Sequence, residues 1–336
     1  MKMKRIICLI NTIAIMLLMI IVSGCSAVEN GFSGQRGNGS GAQAEAVLTP
    51  TEVYNAVKDC DFWVYSYNGT VSAVKDGNYL SINGEKQICD MQFCDGWIYY
   101  VKSNDKNSIN FDVFRAKPDG SDESAILNSR ELNDDMDGSF MDFLVTERFI
   151  YIRKTYRLYR INLGNGEITK IFDTVNSYTV HNDVVYFDMI FADEFTVCYE
   201  DPSETKYTIV LKNPEYSYDE CYNKRGKIVF ADNVLFFSKK IINNGTVDLC
   251  KFMDNEYTII EAGSVYEDSL FEHNGKLYYV IHENDIDHLI AYDVESGEKV
   301  KVLSFNDYCY EGEISNGYYC YLDSNKKIKA VMINAT

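Results

Sequence analysis

The sequence predicts an all-β chain assembled from repeated four-stranded antiparallel units, and three observations carry that expectation. The first is a recurring segment. Residues 93–101 (FCDGWIYYV) join an apolar residue, an Asp/Asn-Gly turn and a run of bulky strand formers. The pattern returns at 145–152 (VTERFIYI), 180–187 (VHNDVVYF), 230–237 (FADNVLFF), 273–280 (HNGKLYYV) and 314–321 (ISNGYYCY), with a weaker copy at 61–66 (DFWVYS). The second is spacing: Trp63, Trp97, Phe149, Val184, Val234, Leu277 and Tyr318 occupy equivalent places, at steps of 34, 52, 35, 50, 43 and 41 residues. The third is composition. Of 336 residues, 46% are hydrophobic and 14% aromatic, with 26 Tyr and only 4 Pro. Tyr, Val, Ile and Phe favour strands, and Pro, which cannot donate to a ladder, is scarce.

A period of about 40 to 45 residues containing several short strands is that of a propeller blade, and the 3.6-residue apolar period of helical repeats is absent. The expectation is a single β-propeller over residues 51–336, with seven four-stranded antiparallel blades, or six if the short first unit (53–88) is shared with the last.

The chain opens on a different kind of segment. Residues 1–24 carry Lys2, Lys4 and Arg5, an apolar run over 6–22 and small residues before Cys25, the layout of an export signal. Val22-Ser23-Gly24-Cys25 resembles the lipobox of bacterial lipoproteins, in which the cysteine receives a diacylglyceryl thioether and becomes the mature N-terminus. The resemblance implies lipidation at Cys25 and an extracytoplasmic, membrane-anchored protein. Removal of three basic residues leaves 29 Lys+Arg against 50 Asp+Glu, a formal charge of −21. Such a chain repels phosphate backbones and anionic headgroups, so nucleic acid is excluded as a partner and the membrane is held through acyl chains. Each buried methylene contributes about 0.8 kcal/mol, and two chains suffice for stable anchoring. Residues 25–50, centred on GFSGQRGNGSGAQ, read as a flexible linker; about 20 such residues reach roughly 25 Å.

From residue 51 onward strands and turns alternate. Asn68-Gly69, Asn83-Gly84 and Asn244-Gly245 are hairpin signals, because a two-residue type I′ turn needs positive φ twice. The second unit reads GWIYYV, FDVFRAK, the turn Pro118-Asp119-Gly120 and SAILN; the third RFIYIRK, YRLYRINL, the turn Gly164-Asn165-Gly166 and EITKIF; the sixth KLYYVIH, HLIAYDV and KVKVLS. Each is preceded by another short strand, which makes four. In the fourth unit the outer strand is hard to place. The last unit ends one strand short, so a segment near residues 44–53 is expected to pair outside residues 328–333 and cover the edge.

The unit "DGWIYY … LYRI … DG … L" resembles the low-density-lipoprotein-receptor-like β-propeller repeat of bacterial secreted proteins of unknown function. The resemblance spans about 51–336 through repeat motifs, and it implies a fold and no substrate.

Residues that bear chemistry are sparse. His282-Glu-Asn-Asp-Ile-Asp-His288 gathers two imidazoles and three carboxylates, but its spacing matches no helical zinc motif and it falls between two strands. Asn133-Asp-Asp135-Met-Asp137-Gly138 resembles the start of a calcium loop, yet the twelfth position is Leu144 where a Glu is required. Both read as solvated loops. Beyond Cys8 and Cys25 eight cysteines remain; Cys89–Cys94 and Cys309–Cys320 flank predicted strand pairs as candidate bridges, while Cys250 and Cys320 sit in apolar runs. Trp63 and Trp97 fall at core positions, and Tyr216, Tyr218, Tyr222, Tyr308 and Tyr310 are the surface aromatics. No catalytic residue, cofactor ligand or metal ligand is assigned. The expected function is non-catalytic binding of a protein, peptide or glycan by a monomeric, surface-anchored propeller; the alternative is an extracellular hydrolase or lyase using carboxylates in the channel.

Overall fold

The computed structural model describes residues 47–60, 62–65, 69–76, 78–104, 109–132, 138–189, 195–200, 202, 208–213, 228–240, 246–253, 256–266, 269–306, 310–315, 317–323 and 328–333. The expected leader, Cys25 and the expected linker up to residue 46 lie outside them, as do Cys221, Cys309, residues 133–137 and the tyrosines Tyr216, Tyr218, Tyr222 and Tyr308. Among the described residues no helix is long and apolar enough to cross a membrane.

Strands β1 (Phe62–Tyr65), β2 (Thr70–Lys75) and β3 (Asn78–Asn83) form a three-stranded sheet. Three four-stranded antiparallel meanders follow. They are β4 (Ile88–Cys94), β5 (Trp97–Ser103), β6 (Phe111–Ala116) and β7 (Ser124–Asn128); β8 (Phe140–Val145), β9 (Phe149–Lys154), β10 (Arg157–Asn162) and β11 (Ile168–Phe172); and β12 (Val175–His181), β13 (Val184–Met189), β14 (Phe195–Glu200) and β15 (Thr208–Asn213). Two more units, β16 (Ile228–Ala231) to β19 (Glu256–Tyr266) through β17 (Val234–Lys240) and β18 (Thr246–Met253), and β20 (Phe271–His273) to β23 (Lys299–Phe305) through β21 (Lys276–Glu283) and β22 (Ile286–Tyr292), are joined where Val265 pairs with Ile281. A three-stranded sheet, β24 (Tyr310–Ser315), β25 (Tyr318–Leu322) and β26 (Ile328–Met332), comes last. The fourth unit thus finds its outer strand at Thr208–Asn213.

First strands of successive units lie against one another: β1 on β4, β4 on β8, β12 on β16, β16 on β20 and β20 on β24. Burial is deepest in the middle strands and falls off at the last. Every residue of β9 is buried, whereas none of the last strands β11 and β23 is. A strand covered on both faces needs no alternation, which is why FIYIRK and WIYYV read as runs. The repeat motif itself is the turn between first and second strands. Asp95-Gly96, Asn182-Asp183, Asp232-Asn233 and Asn274-Gly275 all take positive φ at both positions, as a type I′ turn requires.

Two expectations about the chain ends and turns are corrected. Residues 47–53 do not cover β26. Leu48 instead pairs with Gly84, and Pro50–Val57 forms helix α1. Thr49 caps it in a capping box with Glu52, with Pro50 at the first turn, a Thr-x-x-Glu signature that the sequence displays. Val53 and Val57 bury against Trp63, Met91 and Ile98, and Tyr54 stacks on Phe93 at 4.8 Å. Helix burial wins over strand pairing because it fills the gap between the first two sheets. Asn83-Gly84 makes no hairpin either, since β3 and β4 belong to different sheets. The Gly84 N–H donates to the Gly69 carbonyl at 2.7 Å, and a Cβ on Gly69 would meet Gly84 O at 2.7 Å. Here glycine serves close backbone approach.

Candidate functional site

The junction between the β8–β11 and β12–β15 sheets carries charged side chains at both ends. At one end the inner strands are bulged. The register shifts between Ile88 and Asp90 in β4, Phe140 and Asp142 in β8, and Val175 and Tyr178 in β12. A bulge re-aims the side chains beside it, and here it brings Asp90, Asp142 and Tyr178 into one polar group. Arg153, cross-strand partner of Asp142, donates from Nε to Asp142 Oδ2 at 3.0 Å and from Nη2 to the same oxygen. Its Nη1 reaches the Asn176 carbonyl on the neighbouring sheet. Asn176 Nδ2 donates to Asp188 Oδ2 at 2.9 Å, and the Ser177 N–H to Oδ1 at 2.5 Å. Asp188 is 2% exposed, and burial pushes its carboxyl up to about 6 although both hydrogen bonds oppose this. Burial, followed by the charge of Asp142, also drives the Tyr178 hydroxyl well above its ordinary range. Gln92 adds a bridge from β4 to β8, donating to Phe143 O at 2.6 Å and accepting from Val145 N at 3.0 Å.

This group places carboxylates from three units at one end of the inner strands. Arg153, held to Asp142 and reaching the Asn176 carbonyl, ties two of the sheets together, and Gln92 ties two more strands across a second junction. Chemically it is a strut.

The other end of the junction is open. Phe149 and Arg153 lie on one strand, about 13 Å apart at 3.3 Å per residue. Around Phe149 lies a cleft of about 420 Å³ lined by Arg148, Arg160, Asn162, Thr169, Asn182 and Asp183 among others. The β8–β9 turn supplies Arg148, the β12–β13 turn supplies Asn182 and Asp183, and β10 supplies Arg160 and Asn162. Both guanidinium groups lie over the Phe149 ring, at 5.0 and 5.3 Å from its centroid, within cation–π range. They differ in surroundings. Arg160 pairs with Glu200 with both side chains 9% exposed, whereas Arg148 is 65% exposed and meets Asp183 at 3.0 Å. The Tyr151 hydroxyl fixes the turn by donating to Asp183 O at 3.1 Å. The cleft therefore offers amide donors and acceptors, a hydroxyl and both signs of charge. Sequence reasoning missed it, although Arg153 and Arg160 inside otherwise apolar strands were a visible signal: a charge in a buried strand needs a partner.

The residues singled out from the sequence fall elsewhere. His282 and His288 sit on either side of the Asn284-Asp285 turn, with His282 opposite Asp287 and Ile281 opposite His288. Opposed residues share a face and neighbours alternate, so the two imidazoles point to opposite faces of the sheet and cannot share an ion. Among the described residues no three His, Cys, Asp or Glu side chains converge as a metal set. The Cys89–Cys94 bridge is corrected: both lie in β4, about 16 Å apart along an extended strand, beyond disulfide reach. Cys89 Sγ donates to Gln87 O at 3.8 Å, and burial raises the Cys94 thiol. Cys250 and Cys320 are buried as expected. Trp63 is core; Trp97 is half-buried, its ring covered by Arg115 and Lys117 at 4.5 and 3.6 Å.

No family model matches the chain, and no curated protein matches it in sequence. Solved structures do. The β-propeller domain of the Trilobed protease from Pyrococcus furiosus superposes with a TM-score of 0.54 at 11% identity, over 80% of this chain and 88% of that one. A putative 6-phosphogluconolactonase from Bacteroides uniformis gives 0.51 at 9% identity, covering 79% and 88%. The computationally designed Ika8 protein gives 0.50 at 9%, covering 79% and 81%. At such identities the likeness is one of fold alone: the chain is a β-propeller.

Proposed function

We propose that this β-propeller is an extracytoplasmic lipoprotein, anchored through Cys25, that binds a protein, peptide or glycan ligand without transforming it. The observation that carries the reading is the polar cleft between β8–β11 and β12–β15, which presents unlike hydrogen-bonding groups on a rigid repeat. Mature charge and linker fit the same picture, since an acidic domain on a tether stands off an anionic surface. Catalysis by channel carboxylates is the second reading, and Asp188, at about 6, is its support, because a general acid or base works best near ambient pH. Against it, Asp188 is 2% exposed and both its oxygens are engaged.

The test is a screen of immobilised glycans and peptides with the full chain, repeated with Arg148→Ala and Asn182→Ala. A hit weakened about tenfold or more by either change supports the cleft, since that corresponds to one charge-assisted hydrogen bond. Hits indifferent to both changes would discard it. Anchoring is checked separately: Cys25→Ser is expected to abolish incorporation of labelled palmitate and move the protein to the soluble fraction.

A further inference from the structure

The His282 hairpin contains a built side-chain assembly that the cleft does not use. His282 Nδ1 lies 2.8 Å from Asp287 Oδ1, and the Tyr266 hydroxyl donates to the same oxygen at 2.9 Å. Asp287 is 3% exposed and Tyr266 9%. The Tyr266 oxygen is also 3.1 Å from Nδ1; with the tyrosine hydrogen spent on Asp287, the carboxylate accepts from Nδ1–H as well, and Nε2 is the lone-pair nitrogen of that tautomer. It is also the outer one, on a side chain 42% exposed. The carboxylate of Asp285, across the turn, lies 4.0 Å from Nε2.

We propose that His282 Nε2 and Asp285 form a surface site for a divalent transition metal ion of the zinc type, with Asp287 and Tyr266 as its orienting shell. Zinc bonds to imidazole nitrogen and carboxylate oxygen are each about 2.1 Å, which puts two donors of a tetrahedral ion about 3.4 Å apart; the 4.0 Å separation closes to that by a small rotation of the fully exposed Asp285 side chain. Water completes the coordination, which makes this an open site rather than a closed structural one. A ligating imidazole whose second nitrogen donates to a carboxylate is the arrangement that fixes ring orientation and raises basicity at metal centres. His288 supplies an internal control. It faces the other side of the sheet with a carboxylate at a like distance, Glu283 3.9 Å from Nε2, but its side chain is only 9% exposed and its Nδ1 partner is the Ser304 hydroxyl at 2.8 Å, so it lacks both the solvent access for water ligands and the buried carboxylate that orients His282.

The experiment is calorimetric titration of zinc chloride into the full chain, with the imidazole resonances of His282 and His288 followed by NMR. One ion per chain should bind, perturbing the His282 ring alone. His282→Gln should abolish that event, Asp287→Asn should weaken it by 10- to 100-fold, and His288→Gln should leave it unchanged. Tyr266→Phe, which removes one hydrogen bond to Asp287, covers the case of a misfolded Asp287 variant and should weaken binding several-fold. Binding that survives His282→Gln, that is lost equally in His288→Gln, or that never saturates at one ion would overturn the proposal.

Discussion

The two ends of the β8–β11/β12–β15 junction use the same residue types for opposite purposes. At the closed end Arg153 spends all its visible donors on Asp142 and the next sheet; at the open end Arg148 holds Asp183 by a single contact and projects into the cleft. Arg153 is 8% exposed, and the Arg148 side chain 65%. Burial decides the role. A guanidinium out of water must be saturated by the protein, so it ties sheets together, while one in water remains available to a ligand.

The sharpest way to break this comparison is to remove one arginine from each end. Arg153→Met leaves the Asp142 carboxylate without its charge partner and should destabilise by about 3–5 kcal/mol in urea unfolding, whereas Arg153→Met with Asp142→Leu should recover most of that loss. A single variant no worse than the double would show that the pair is not structural.

Asp188 sharpens the contrast through pH. Its folded-state value is about 6 against 3.8 ordinarily, so between those values the native state holds a proton that the unfolded chain has released. Its contribution is complete below about pH 4 and is lost as pH rises through about 6, a decline of about 3 kcal/mol. Unfolding of wild type and Asp188→Asn followed from pH 4 to 7 should diverge by that amount, the variant gaining relative stability at the upper end. Parallel curves would contradict the burial argument.

The smallest effect belongs to the open end. Arg148→Ala should change stability by less than about 1 kcal/mol, because an exposed ion pair is screened and entropically costly. A larger loss would place Arg148 with the struts and remove it from ligand recognition.

Much of the architecture was legible because it is written in local chemistry. Asp95-Gly96, Asn182-Asp183, Asp232-Asn233 and Asn274-Gly275 mark the turns wherever the chain must take positive φ twice, and runs such as FIYIRK mark strands covered on both faces. The helix Pro50–Val57 was equally legible in Thr49-Pro50-Thr51-Glu52, but a strand-dominated reading passed over it. Asn83-Gly84 shows the limit of such signals. The same dipeptide serves a turn or a close approach, and only the neighbour, Gly69, decides which.

The site was far less legible. Arg148, Arg160, Asn182 and Asp183 come from strands and turns of two units, and no spacing along the chain encodes which faces meet. His282 and His288 show why: six residues apart in sequence, they are driven to opposite faces by the alternation of β21 and β22, and one gains Asp287 and Tyr266 while the other gains Ser304. Turn chemistry and strand propensity act over a few residues and so can be read from order alone. Burial, bulge and cross-sheet pairing depend on what packs opposite, and that is decided only when the sheets close around their common axis.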